Sequence, residues 1–530
     1  MVRYEDWKAW NGRYNCLPYI ASHDLAGAHI PGWDKLWKEA GEAAVVLESG
    51  KAGRYTFVGA EPVEWMSGGL TGGERRRVAA SRTGEDIVEP VDGAPLEVLR
   101  RWMAEFSAPR AEALPKFGGG IAGYLAYDVA RTIERLPGTA ADDSPIPDYF
   151  FFRLEKLWII DHVEEKLHCV VYDVRPAEAP PYGEEELRTH YASAQAKAED
   201  MAAAWSRWME AAEPEENALA AERVELDIDV ERMDGLALSL PKKEFMRAVE
   251  RVRDYIAAGD VFQVNISVRQ SRPLRASPEQ VYEALRRLNP SPYMAFLRLP
   301  GGARIASASP ELLVRLEGRR LSTRPIAGTR PRGRDEGEDG ALREELLLSE
   351  KERAEHIMLV DLERNDLGKI STFGTVRVKE LMAVEHYSHV MHIVSEVEGE
   401  LASGRDAFDC IAAVFPGGTI TGAPKIRTME IIEELEPTRR GAYTGAIGWI
   451  DYAGNMELNI TIRTLVYADG TAYVQSGAGI VIDSDPEKEF VESLNKAKAL
   501  WKAAELAERA GSEDRSGAKK SRGEKEAFGK

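Results

Sequence analysis

Two matched pairs of glutamates, far apart in the second half of the chain, constrain its fold most. Glu352 and Glu355 lie in SEKERAEHIMLVDLERND, and Glu489 and Glu492 lie in DSDPEKEFVESLNKAKAL. In each pair the i,i+3 spacing puts both carboxylates on one face of a helix. A solvated acidic helix face is the commoner fate of glutamate. The first pair departs from it, because continuing its stripe reaches Leu359 and Leu362, so the carboxylates share a face with apolar side chains. Paired helical carboxylates from two distant segments suit Mg2+, a hard cation that wants oxygen ligands and leaves some positions to water or a substrate carboxylate. A fold that uses both pairs has to bring two distant helices together.

At 530 residues the chain exceeds what one core usually supports, and two domains or one large composite unit are expected. A net charge of -19 argues against a nucleic-acid partner. It also means that an anionic substrate must be met by a local cluster of positive groups or by a cation. The cysteines Cys16, Cys169 and Cys410 are far apart and have no metal-ligand spacing, which fits a reduced, cytoplasmic setting. The N-terminus has no apolar signal core, and no stretch approaches the ~20 apolar residues of a membrane span, so no membrane partner is expected.

Along the chain, AAVVLESGKAGRYTFVGAEP reads as strand, turn, strand, and β-type runs recur in FGGGIAGYLAYD, YFFFRLEKLWIIDH and KLHCVVYDV. We therefore expect a β-rich domain over 15–178, a helix and linker over 179–238, a second domain over 239–507 and a disordered tail over 508–530. KKEFMRAVERVRDYIAAGD carries a helical stripe, with Gly259 closing the helix, and VFQVNISVRQS alternates as a strand. Asp485 and Pro486 start a C-terminal helix whose buried stripe is Phe490, Leu494, Ala497 and Trp501. Three Gly-rich segments, RPIAGTRPRG, FPGGTITGAPK and QSGAGIVIDSD, read as turns that let backbone N–H groups approach an anion. The middle one is not a phosphate loop, since it lacks the Gly-Lys-Ser/Thr ending and Pro424 has no N–H to offer.

Together, PIAGTRPRG, EHIMLVDLERNDLGKIS, HVMHIVSEVEGEL, GGTITGAPKIRTMEIIEELEPTRRGAYTG, LNITIRT and QSGAGIVIDSDPE resemble the chorismate-utilising enzymes, a family that includes the large subunits of anthranilate synthase and aminodeoxychorismate synthase. VVLESGKAGRYTFVG and GGGIAGYLAYD extend the resemblance into the first half. It implies an α+β fold of large antiparallel sheets packed with outer helices, in two interleaved domains.

The resemblance also implies roles for residues. Glu355 and Glu492, with Glu352 and Glu489 beside them, would bind a Mg2+ bridged to the ring carboxylate of chorismate. Arg463 and Tyr443 match positions for the enolpyruvyl carboxylate, and Gly328, Thr329, Gly477, Ala478 and Gly479 match positions that cradle the substrate. Lys496 reads equally as a second positive group or as an i,i+4 partner of Glu492. His392 matches a histidine close to the ring, suited to acid–base work, Glu311 a group that protonates the leaving hydroxyl, and Thr419 a position lining the ring.

Gln263 narrows the branch. In relatives that make isochorismate or salicylate the matching residue is a lysine that activates water, whereas an amide cannot act as a base. Ammonia is then the nucleophile, supplied by a separate glutamine amidotransferase subunit. FPGGTITGAPK, AYTGAIGW and QVNIS resemble the aminodeoxychorismate subunit, while Ala327, where many such enzymes have a ring-attacking lysine, points toward anthranilate synthase. A regulatory homologue that has lost catalysis is the non-enzyme alternative. Glu48, Ser49, Pro292, Tyr293 and Met294 match the family's tryptophan pocket, which otherwise reads as a packing contact between domains.

Overall fold

The computed structural model describes residues 2–25, 30, 32–50, 53–79, 84–111, 113–209, 226–386 and 390–510. The polar EPEEN stretch and nearly all of the tail expected to be disordered lie outside these residues.

Two twelve-stranded antiparallel sheets carry the fold, and each takes strands from both halves of the chain. The first sheet runs in the order Cys16–Asp24, Lys166–Val174, Lys156–Asp161, Tyr55–Gly59, Ala44–Glu48, Tyr293–Arg298, Arg304–Ser309, Thr464–Ala468, Thr471–Ile480, Gln263–Pro273 and Ala237–Leu238. The second runs from Ile326–Pro331 through Val390–Glu400, Arg320–Arg324, Leu312–Glu317, Met456–Ile460, Ala446–Asp451, Gly120–Leu125, Tyr149–Leu154 and Glu64–Gly68 to Gly72–Arg77 and Ile87–Asp92. The twelfth strand of each sheet lies off this order, Gly422–Ala423 pairing with Gln263–Pro273 in the first and Arg377–His386 with Val390–Glu400 in the second.

The halves join at two seams. Ala44–Glu48 pairs with Tyr293–Arg298, with Glu48 opposite Met294, and Gly120–Leu125 pairs with Ala446–Asp451. The strand AVVLE is buried along its whole length, as a short continuous apolar run should be. One large cluster of buried apolar side chains, drawn from both halves, fills the interior.

Helices cover the sheets. The helix Glu184–Met209 does more than connect the halves. It packs on Cys16–Asp24 and Lys166–Val174 and buries Met201, Trp205 and Trp208; Trp158 Nε1 donates to the Met201 carbonyl at 2.8 Å, and Trp208 lies against Trp158. Lys242–Ala257 buries Phe245, Val249 and Val252, and Gly259 follows it with φ +84°. It packs against Pro486–Asn495 with Phe245 edge-on to Phe490. Asp485 caps that second helix by accepting from the Glu487 and Lys488 amides. Phe490, Leu494, Ala497 and Trp501 are all buried. The helix Glu350–Gly368, capped by Ser349, lies on Ile326–Pro331 and Val390–Glu400 of the second sheet. Among the described residues no helix is long and apolar enough to cross a membrane.

Candidate active site

The two glutamate helices come within electrostatic reach of one another, since Lys496 acts on Glu355 and Lys351 on Glu489. Gln263, at the head of its strand in the first sheet, donates through Nε2 to Glu355 Oε1 at 2.8 Å. Arg330 Nη1 donates to Glu352 Oε1 at 3.0 Å. On the other helix, Lys496 is 2.9 Å from Glu492 and donates to the Gly477 carbonyl at 2.9 Å, so it is both an i,i+4 partner and a contact of the Gly-rich strand. Burial pushes the Glu355 carboxyl upward, and the charge of Glu352 adds to it. Burial also raises Glu489, with Ser484 opposing and Glu492 adding. Lys351 and Lys496 act on both Glu355 and Glu489, so the pairs share one set of cations.

A closed carboxylate cluster does not form. Among the described residues no three histidines, cysteines, aspartates or glutamates converge tightly enough to hold a metal ion. Like charges resist closer approach, and Lys496, Gln263 and Arg330 occupy the carboxylates instead.

His392 stands on Val390–Glu400, opposite Thr329 in the neighbouring strand. Its Nδ1 lies 3.1 Å from the Gly328 carbonyl and 3.0 Å from Thr329 Oγ1. A carbonyl only accepts, so Nδ1 carries the proton and Nε2 the lone pair. Burial lowers the imidazole to about 4, which keeps it neutral at physiological pH. Gly328 has φ +67°, at an irregular register beside Ala327, and a side chain there would meet Glu352 Oε2 at 3.1 Å. The glycine therefore places His392 and the first glutamate pair on one wall.

The opposite wall is polar and buried. Burial pushes Glu311 up to about 7, with the Thr419 hydroxyl, the Ile326 amide and Arg463 opposing. Glu311 Oε1 and Thr419 Oγ1 are buried without a hydrogen-bond partner. Arg463, held at φ +51°, senses the charges of Tyr443, Glu492 and Glu311. Burial raises the Tyr443 hydroxyl to about 12. Thr444 is likewise left-handed at φ +60°, and such strained non-glycine backbone gathers at functional sites.

Two of the Gly-rich segments are strands rather than turns. Gly477, Ala478 and Gly479 lie within Thr471–Ile480, and Gly328 and Thr329 within Ile326–Pro331. Glycine reads as punctuation in a sequence, but here it clears one sheet face, so that neighbouring side chains lie across it. In the middle segment Lys425 is bound to Asp366 and to the Val414 carbonyl, a structural role that fits the absence of a phosphate loop.

The sequence reading missed Glu363. Burial and then the charge of Asp366 push it up to about 8, and the charge of Glu311 adds to this. Its signal was present, since it lies one position beyond the stripe of Glu352, Glu355, Leu359 and Leu362. Arg440 was also missed. Fully buried, it binds Glu436 at 2.7 Å and the backbone carbonyls of Ile420 and Asn265 at 2.9 and 2.7 Å, tying the middle Gly-rich segment to the first sheet.

A separate cleft of about 580 Å³ gathers Glu48, Ser49, Pro292, Tyr293 and Met294 at the first seam, with Trp449 and Phe57 among its other walls. The Glu48 carboxylate itself is committed. Arg286 reaches it at 2.7 Å, Tyr282 at 2.8 Å and Trp33 Nε1 at 3.1 Å, so its charge is compensated within the protein.

Known proteins resemble this chain in sequence and fold. The family model for chorismate binding enzymes matches residues 56–502. Aminodeoxychorismate synthase component 1 of Bacillus subtilis (strain 168) is 45% identical over 464 residues, covering 88% of this chain and 92% of that protein. Anthranilate synthase component 1 of Thermus thermophilus is 46% identical over 467 residues, covering 87% and 91%. The crystal structure of anthranilate synthase component I from Streptococcus pneumoniae TIGR4 superposes with a TM-score of 0.68 at 34% identity, covering 84% of this chain and 92% of that one. The chain belongs to the chorismate binding enzyme family and is a chorismate-utilising enzyme.

Proposed function

We propose that the chain is component I of an aminodeoxychorismate synthase, aminating chorismate at C4 with ammonia to give 4-amino-4-deoxychorismate. The observation that carries amination is the contact of Gln263 with Glu355: where hydroxylating relatives place a lysine base, this site holds a neutral amide bound to a carboxylate. The choice of product draws on FPGGTITGAPK, AYTGAIGW and QVNIS around the ring position. Incubation of the purified chain with chorismate, ammonium chloride and Mg2+, followed by product identification, tests it.

Within this reading each wall has a task. Arg463 and Tyr443 bind the enolpyruvyl carboxylate, and Gly328, Thr329, Gly477, Ala478 and Gly479 shape the ring pocket with Thr419. Glu311, raised to about 7, retains a proton near neutrality and gives it to the departing C4 hydroxyl. His392 offers a neutral Nε2 lone pair beside the ring. Glu355 and Glu492, with Glu352 and Glu489 beside them, would hold Mg2+. The all-oxygen donor set suits that ion, and a raised, half-compensated Glu355 gains from a cation. When bound, Mg2+ neutralises the ring carboxylate and withdraws electron density from the ring.

Ammonia comes from a separate glutamine amidotransferase subunit. Burial pushes the Cys16, Cys169 and Cys410 thiols up to about 12, so none of them serves as a glutaminase nucleophile. The buried thiols also fit the cytoplasm as the working compartment. The cleft at the first seam is read as a tryptophan site, where Trp449 and Phe57 suit an indole.

One observation favours a second reading, anthranilate synthase component I. Ala327, beside Gly328, provides no side-chain nucleophile, and the neutral His392 can remove a ring proton ahead of pyruvate loss.

A further inference from the structure

Arg330 holds glutamates from two helices with one guanidinium. It stands on Ile326–Pro331, opposite Met391. Its Nε donates to Glu345 Oε1 at 3.0 Å, on the helix Glu336–Leu348. Its Nη1 donates to Glu352 Oε1 at 3.0 Å and to the Thr329 carbonyl at 2.9 Å. Three acceptors fix the planar group, and an arginine keeps its charge at any working pH. The second oxygen of Glu352 is placed as well, since a Cβ on Gly328 would lie 3.1 Å from Oε2. The helix that carries Glu345 is anchored by the next residue, Leu346, which is buried with Met391 and Ile393 in a small apolar cluster of its own.

The donors that occupy the glutamates differ in what they take away. Gln263 gives Glu355 a hydrogen bond from a neutral amide and leaves the carboxylate its charge. Lys496 meets Glu492 as an i,i+4 pair in which the glutamate is 54% exposed, a contact that water screens. Arg330 and Glu352 are 22% and 20% exposed and locked in geometry. Of these three contacts, that of Arg330 cancels a carboxylate charge most fully.

We propose that Arg330 is a positioning residue that keeps Glu352 out of the metal's ligand set and so holds the affinity for Mg2+ low until substrate arrives. An oxygen site binds a divalent cation more tightly the more carboxylate charges it presents. With Glu352 neutralised the site presents one charge fewer, and the carboxylate of the substrate makes up the difference. With Glu352 released, Mg2+ would be held tightly by the protein alone, and the added negative charge would oppose an anionic substrate. The inference rests on the reading of the glutamates as a Mg2+ site.

Thermal unfolding of the purified chain against Mg2+ concentration, without chorismate, tests it. A cation bound by the folded state raises the midpoint by an amount set by its concentration relative to Kd. Arg330→Gln, with Arg330→Ala as a second removal of the charge, is compared with Glu345→Gln, a change at a residue that is 62% exposed. The expected result is a Kd for Mg2+ lowered about tenfold when Arg330 loses its charge, and not lowered in Glu345→Gln, where the guanidinium turns wholly to Glu352. Loss of a merely structural contact would loosen the site and weaken binding, the opposite sign. An unchanged or weaker affinity in a folded Arg330 variant overturns the proposal while leaving the metal site standing. Equal tightening in Glu345→Gln, which marks a shifted helix instead of a freed carboxylate, overturns it too. If turnover by the unaltered chain does not need Mg2+, the metal reading falls and this role of Arg330 falls with it.

Discussion

Gln263 Nε2 sits 2.8 Å from Glu355 Oε1, joining the head of a strand in the first sheet to the helix on the second. This contact spends the amide's donor on the carboxylate and leaves its oxygen facing a buried site without a base. Replacing the amide by an amine tests what that choice does. Gln263→Lys is expected to lower ammonium-dependent turnover by about a hundredfold or more and to allow water in as nucleophile, with isochorismate in the product mixture. Chromatography of the products checks it. Full ammonium-dependent activity in the variant would contradict a role for Gln263 beside the nucleophile.

Glu355→Gln is expected to abolish Mg2+-dependent turnover while the protein stays folded. A neutral amide removes the cost of burying a charged carboxylate, and with it the lesser repulsion from Glu352, so the thermal midpoint should hold or rise. Chelation of divalent cations should silence the unaltered enzyme and Mg2+ should restore it. Turnover against Mg2+ concentration, with thermal unfolding in the absence of metal, measures both. Near-normal activity in the variant would remove Glu355 from the metal set.

Stability should fall as pH rises from about 5 to 8, and Glu363 should be a main cause. An unfolded glutamate loses its proton near 4.5, but in the folded protein Glu363 keeps it until about 8 and Glu311 until about 7. Between those values the folded state binds more protons than the unfolded chain, so raising pH favours unfolding. Glu363→Gln removes its share. The variant should match the parent near pH 5 and exceed it near pH 8, by on the order of 2–4 kcal/mol. Denaturant unfolding at the two pH values decides, and an equal difference at both would show that Glu363 does not titrate as described.

Much of this was legible in the sequence because it is local. The stripe through Phe245, Val249 and Val252, the Asp485 cap and the i,i+3 glutamates follow from helix geometry alone, and the helices appear where that geometry puts them. What could not be read is set by pairing between distant strands. Nothing near Ala44–Glu48 specifies Tyr293–Arg298 as its neighbour, so the sharing of both sheets by the two halves came only from the resemblance. The same reason hid the strands at Gly328 and Gly477. Glycine signals a turn unless a partner strand supplies the hydrogen bonds, and those partners are remote in sequence. Glu48 matched a pocket position, but its compensation by Arg286, Tyr282 and Trp33 depends on segments that meet only in the fold. Glu363 was simply one position off a stripe that was read too narrowly.

The isolated chain should use ammonium but not glutamine. With all three cysteines buried and their thiols pushed up to about 12, no thiolate is available to attack glutamine. Glutamine-dependent turnover should appear only when an amidotransferase subunit is added. An assay of chorismate loss with each nitrogen source decides the matter, and robust glutamine use by the chain alone would refute the need for a partner.

The central claim concerns the product, and the most direct measurement is to identify it. The purified chain is incubated with chorismate, Mg2+ and ammonium chloride, and fluorescence, pyruvate and the aminated product are followed together. The account predicts that 4-amino-4-deoxychorismate accumulates as chorismate disappears, with no pyruvate until a separate lyase is added. Anthranilate fluorescence rising at the rate of chorismate loss, with pyruvate released one for one and no lyase present, would contradict it.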